Sequence, residues 1–198
     1  MSNPESMMLE SEGKPLTKVN LNDLKKKLSE AERYKEAGNV FCKNGDFKKA
    51  AGQYHRGILF LKGIDNDLFG TPDFLKIISV HPYSEETKIP EDIEQKCLAV
   101  NISVYNNLSA SLLKVEGSDP LRILHYTNIV LELDPINSKA LYRRAQAHYI
   151  MKDYDDAAET LKCIPKPDRD VLLLLKKAET SLKEEAKSQK AMYKNMFK

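Results

Sequence analysis

Apolar residues recur at helical intervals through most of this 198-residue chain, and no stretch alternates as a strand does. From Asn22 the segment LKKKLSEAERYKEAGNVFCKNG carries one apolar face and stops at Gly45. In DFKKAAGQYHRGILFLKG, Phe47, Ala50, Tyr54, Ile58 and Leu61 share a face, which predicts a second helix folded back antiparallel through a short connection. Residues 63–92 break the pattern with three prolines and read as an inserted loop. Periodicity resumes near Glu91, runs through EDIEQKCLAVNISVYNNLSASLLKV, and turns at EGSDP. LRILHYTNIVLEL follows and is stopped by Asp134-Pro135. SKALYRRAQAHYIMK, DYDDAAETLKCI and a long final helix from about Asp168 complete an all-α pattern.

The pattern repeats. Tyr34-x2-Ala37-Gly38-x2-Phe41 followed by Ala50-x3-Tyr54 resembles the helix-turn-helix unit of the 34-residue tetratricopeptide repeat (TPR). A second copy places Ser109 at the small-residue position, Leu112 at the aromatic one and Pro135 at the close. A third begins at Ser138, with Ala145 at the small position and Ala157-x3-Leu161 in its second helix. Small side chains recur there because paired helices cross too closely for anything larger. The expectation is a TPR solenoid of three repeats, about 31–62, 93–135 and 138–167, within a domain spanning 22–167. The 63–92 insert lies between the first two repeats, residues 1–21 form a disordered tail, and 168–198 form a capping helix with a basic end.

Composition narrows the function classes. Basic and acidic residues nearly balance, 31 against 29, giving a formal net charge of +2 and no general reason to expect nucleic acid as a partner. Cys42, Cys97 and Cys163 are odd in number and lack CxxC spacing, which suits a reducing compartment. No apolar run is long enough to span a membrane and no secretory leader is evident, so a cytoplasmic location is expected. Glycine-loop, HExxH and Cys/His metal patterns are absent, and His55, His81, His125 and His148 are scattered. No enzyme activity, cofactor or metal is therefore expected, and His148 reads as a packing residue at a repeat-core aromatic position.

One charge arrangement resists a purely local explanation. Lys139 and Arg143 stack at i, i+4 without an acid three or four residues away, and Lys139 sits in the first helical turn. Like charges at that spacing cost roughly 0.2–0.5 kcal/mol, and the helix dipole disfavours a cation at its N-terminus. On the first helices of the other repeats, Lys35 and Asn39 are four apart and Asn107 precedes the small-residue stretch. Lys35 also has Glu32 three residues upstream, so an intrahelical ion pair is a fair alternative for it alone. Asn107 is favoured over Asn106 by repeat register, and Arg144, about 100° around the helix from Arg143, reads as surface.

Lys35-x3-Asn39, Asn107 and Lys139-x3-Arg143 resemble, at all five positions, the dicarboxylate clamp of chaperone-binding TPR domains. That resemblance implies a non-enzymatic co-chaperone-like adaptor holding the C-terminal Glu-Glu-Val-Asp peptide of Hsp90 or Hsp70. A terminal Asp carries two neighbouring carboxylates, which cations and amide donors can hold together. Charge-assisted hydrogen bonds are worth roughly 1.5–3 kcal/mol each, and ordering a peptide tail consumes much of that, leaving affinity on the order of micromolar. The ending SQKAMYKNMFK is similar to the helix that follows the TPR domain of large FK506-binding immunophilins. With no room for an isomerase domain before residue 22 and a proline-bearing insert after repeat one, the chain looks more like the tetratricopeptide repeat protein 9 family. The alternative is a scaffold working through the 63–92 insert or the basic terminal helix. From Lys183 onward that helix has five lysines against two glutamates, a composition open to calmodulin or another protein.

Overall fold

The computed structural model describes residues 21–69 and 90–196. Seven helices occupy these residues, and no strand is present among them. They are α1 (Leu21–Lys43), α2 (Phe47–Phe69), α3 (Glu91–Leu112), α4 (Pro120–Leu133), α5 (Ser138–Met151), α6 (Tyr154–Lys162) and α7 (Arg169–Met196). Helix α2 continues past Gly63 to Phe69, so the first residues of the segment read as a loop are helical. Residues 70–89, the greater part of that insert, and the N-terminal tail through residue 20 lie outside the described residues.

Local chemistry sets the boundaries. Gly45, at φ 79°, supplies the left-handed turn between α1 and α2 that a side chain would strain. Pro120 opens α4 behind Asp119, whose carboxylate accepts from Leu121 N at 2.9 Å. Asn137 caps α5 by accepting from Ala140 N at 3.1 Å, and Asp168 accepts from Val171 N at 2.9 Å as α7 begins. Lys152 ends α5 in the left-handed conformation, φ 69°, while Asp153 N returns to His148 O at 3.0 Å.

Each helix packs on its successor, and α1, α3, α5 and α7 also touch in series. The first helices of the pairs therefore form an inner layer, with α2, α4 and α6 outside it. One core runs through the first two pairs, from Leu24 and Leu28 through Tyr54, Leu61 and Val104 to Ile123 and Val130. A second, around Leu141, Leu161 and Val171, seals the third pair against α7. The three small-residue positions, Gly38, Ser109 and Ala145, are all buried where helices cross. From Leu182 to Tyr193 every residue of α7 is exposed, so its last turns run beyond the packed body.

Candidate functional site

The inner layer brings two of the five sequence-predicted positions into direct contact and sets two more on one groove. Asn39 on α1 and Asn107 on α3 meet directly, with Asn107 Nδ2 donating to Asn39 Oδ1 at 3.0 Å. The same oxygen accepts from Tyr54 OH of α2 at 2.8 Å. Tyr54 is fully buried, and that burial, followed by the neighbouring Cys42, raises its pKa and keeps the phenol a neutral donor. Asn39 therefore presents its amide nitrogen outward.

Further along the layer, Lys139 and Arg143 line one groove of about 480 Å³ between α3, α5 and α7. Lys114 lines it too, against the single carboxylate of Asp170, and Leu113, Tyr142 and Leu174 supply apolar wall. Three cations against one acid make this groove a setting for an anion. Lys139 is exposed. Arg143 is half-buried, and burial pulls its pKa down.

Lys35 does not form the ion pair with Glu32 that its spacing allows. Glu32 is taken by Lys96 of α3 at 2.9 Å, because α1 and α3 pack side by side. Lys35 Nζ instead lies 3.4 Å from Glu36 Oε1, while Asn39 Nδ2 donates to Glu36 Oε2 at 3.0 Å. That hydrogen bond from Asn39, more than Lys35, holds the Glu36 carboxyl below its usual range. Two of the predicted positions thus already hold a carboxylate between them. Arg144, read as surface, is half-buried with its Nε shielded, because α4 and α6 flank α5.

Asn106 is the residue that sequence reasoning passed over. It is 4% exposed, and its Oδ1 accepts from Arg143 Nη1 at 2.7 Å. Its Nδ2 donates to Asn137 Oδ1 at 3.2 Å, and Asn137 Nδ2 donates to Asp134 Oδ2 at 2.9 Å. This relay ties the guanidinium to the cap of its own helix and fixes its direction. Asn106→Ala is expected to cost about 1–3 kcal/mol by leaving a half-buried guanidinium short of its acceptor. Urea unfolding measures this, and an unchanged midpoint would remove the relay from the account.

This arrangement occurs in a chain with recognisable relatives. No family model matches it. The chain is 27% identical over 174 residues to tetratricopeptide repeat protein 9C of Xenopus tropicalis, covering 86% of this chain and 93% of that one. It is 26% identical over 175 residues to the peptidyl-prolyl cis-trans isomerase FKBP4 of Bos taurus, again across 86% of this chain. That match spans 33% of the isomerase, about a third of its length. Among solved structures, the C-terminal TPR-containing domain of an FK506-binding protein from Plasmodium falciparum superposes with a TM-score of 0.64 at 22% identity. The superposition covers 83% of this chain and 95% of that domain. The fold is an all-α TPR solenoid, and no helix among the described residues is long and apolar enough to cross a membrane.

Proposed function

We propose that this TPR protein, similar to tetratricopeptide repeat protein 9C and to the TPR-bearing FK506-binding proteins, is a non-enzymatic adaptor that grips an acidic C-terminal peptide. The inner face holds the peptide's terminal Asp as a dicarboxylate clamp of Lys35, Asn39, Asn107, Lys139 and Arg143. The peptide is of the Glu-Glu-Val-Asp type that ends Hsp90 and Hsp70. The observation that carries this reading is the groove in which Lys139 and Arg143 converge with Lys114 against one acid. The Asn39–Asn107 contact on the same layer supports it. Cations supply charge in the groove, while the second N–H of each amide, the first being given to Glu36 or Asn39, can donate without adding repulsion.

Calorimetric titration with a Glu-Glu-Val-Asp peptide tests the proposal. Binding on the order of micromolar is expected, weakening as salt is added. An amidated peptide lacks one of the two carboxylates and is expected to bind at least about tenfold more weakly, the loss of roughly one charge-assisted contact. Equal binding of free-acid and amidated peptides would sink the clamp.

A second reading rests on α7. Met192, Tyr193 and Met196 are each more than 60% exposed on a lysine-rich stretch, which suits a scaffold contacting calmodulin or another protein there. A chain ending near Glu184 separates the two readings, because it keeps the groove and is expected to bind the peptide as the full chain does.

A further inference from the structure

The turn between α5 and α6 gathers three metal-ligating side chains away from the peptide groove. His148 comes from the last turn of α5, Asp153 from the connection and Asp156 from the first turn of α6. His148 Nδ1 lies 3.8 Å from Asp153 Oδ2 and 3.8 Å from Asp156 Oδ2, and the three ligand atoms all fall within 4.8 Å of one another. The spacing His148-x4-Asp153-x2-Asp156 matches no familiar ligand motif. It converges only because Lys152 takes the left-handed conformation and reverses the chain.

The imidazole nitrogen poses the problem. His148 Nδ1 is buried and has no hydrogen-bond partner. As an unprotonated acceptor it faces two carboxylates with a lone pair, which is repulsive. Protonated, it pairs with both carboxylates at 3.8 Å by charge alone, too far from either oxygen to make a hydrogen bond. A metal cation between the three atoms takes up the buried lone pair and neutralises both carboxylates at bonding distance. The centre of a triangle with these sides lies about 2.2–2.5 Å from each corner, close to the roughly 2.0–2.2 Å of zinc–nitrogen and zinc–oxygen bonds. The two aspartates are partly exposed and can close the remaining few tenths by side-chain rotation. The turn itself is held firmly, with the Tyr149 and Tyr154 rings 5.3 Å apart across it.

We propose that His148, Asp153 and Asp156 bind a divalent transition-metal cation, stapling the two helices of the third repeat. One imidazole with two carboxylates favours zinc-like ions over magnesium or calcium, whose protein sites are built from oxygen ligands. Solvent completes the coordination. This site is independent of the peptide-binding reading, since none of its ligands lines the groove.

The test uses the full chain with its cysteines reduced, titrated with Zn2+ by calorimetry and followed by thermal unfolding. One equivalent is expected to bind and to raise the unfolding midpoint. The Asp153→Asn/Asp156→Asn double variant alters one half-exposed and one exposed side chain and is expected to leave the fold intact. It is expected to weaken Zn2+ by more than the roughly 10- to 100-fold that losing an outer-sphere partner costs. His148→Gln is expected to do the same. Co2+ substitution is expected to give ligand-field absorption without a thiolate charge-transfer band. Absence of binding, Zn2+ affinity unchanged in the double variant, or a thiolate band that assigns the metal to cysteine would each overturn the site. So would a His148 imidazole whose nuclear magnetic resonance signals ignore Zn2+.

Discussion

Gly38→Ala is expected to cost about 2–4 kcal/mol of stability, although alanine is the better helix former by roughly 0.8–1.0 kcal/mol. A Cβ at position 38 would meet Tyr54 Cε1 at 2.5 Å, Cδ1 at 2.7 Å and Cζ at 2.8 Å. These are ring atoms of a side chain only 1% exposed, so there is no free volume into which the ring can retreat. Moving the ring also strains the bond from Tyr54 OH to Asn39, which adds to the overpacking cost. Gly52→Ala is the matched control, because a Cβ there meets nothing within 4 Å. It is expected to stabilise α2 by about 0.5–1 kcal/mol, so the two substitutions carry opposite signs. Urea denaturation of both variants measures the difference. A Gly38→Ala protein as stable as wild type would show that α1 and α2 do not cross as closely as described.

The same residue shows why so much of the fold was legible in the sequence. Small residues at Gly38, Ser109 and Ala145 mark the crossing points within successive pairs. Apolar periodicity alone then orients each helix, as Ala50, Tyr54, Ile58 and Leu61 do on α2, all of them buried. What was not legible depends on the angle between neighbouring pairs. Whether Lys96 or Lys35 reaches Glu32 is decided by how α3 lies along α1, and periodicity within one helix is silent on that. Asn106 and Asn107 differ by about 100° around α3, so one faces α1 and the other faces α5. Repeat register picks out Asn107 but gives no hint that its neighbour holds Arg143. The His148 cluster was hidden for a different reason. It requires a lysine at positive φ, a conformation sequence rules assign to glycine or asparagine.

Removing the two α5 cations is expected to separate binding from stability. Lys139 is exposed at the start of its helix, where the dipole already disfavours a positive charge. Lys139→Ala is therefore expected to leave stability within about 0.5 kcal/mol of wild type. The peptide loses one charge-assisted contact, about 1.5–3 kcal/mol or roughly 10- to 150-fold in affinity. Arg143→Ala removes a comparable contact and also leaves Asn106 Oδ1, deep in the α3–α5 contact, without its donor. Its affinity loss is expected to equal or exceed that of Lys139→Ala, and stability falls as well by about 1–3 kcal/mol. Arg143→Lys keeps the charge but not the planar fork that reaches Asn106 and a ligand carboxylate together, so it is expected to rescue little. If charge alone drove binding, lysine at 143 would restore affinity and the losses would vanish in high salt. If directed hydrogen bonding drives it, as the Asn106–Asn137–Asp134 relay behind the guanidinium implies, the deficit persists at high salt. Wild-type affinity in the Lys139→Ala/Arg143→Ala double variant would place the acidic peptide, if it binds at all, somewhere other than this groove.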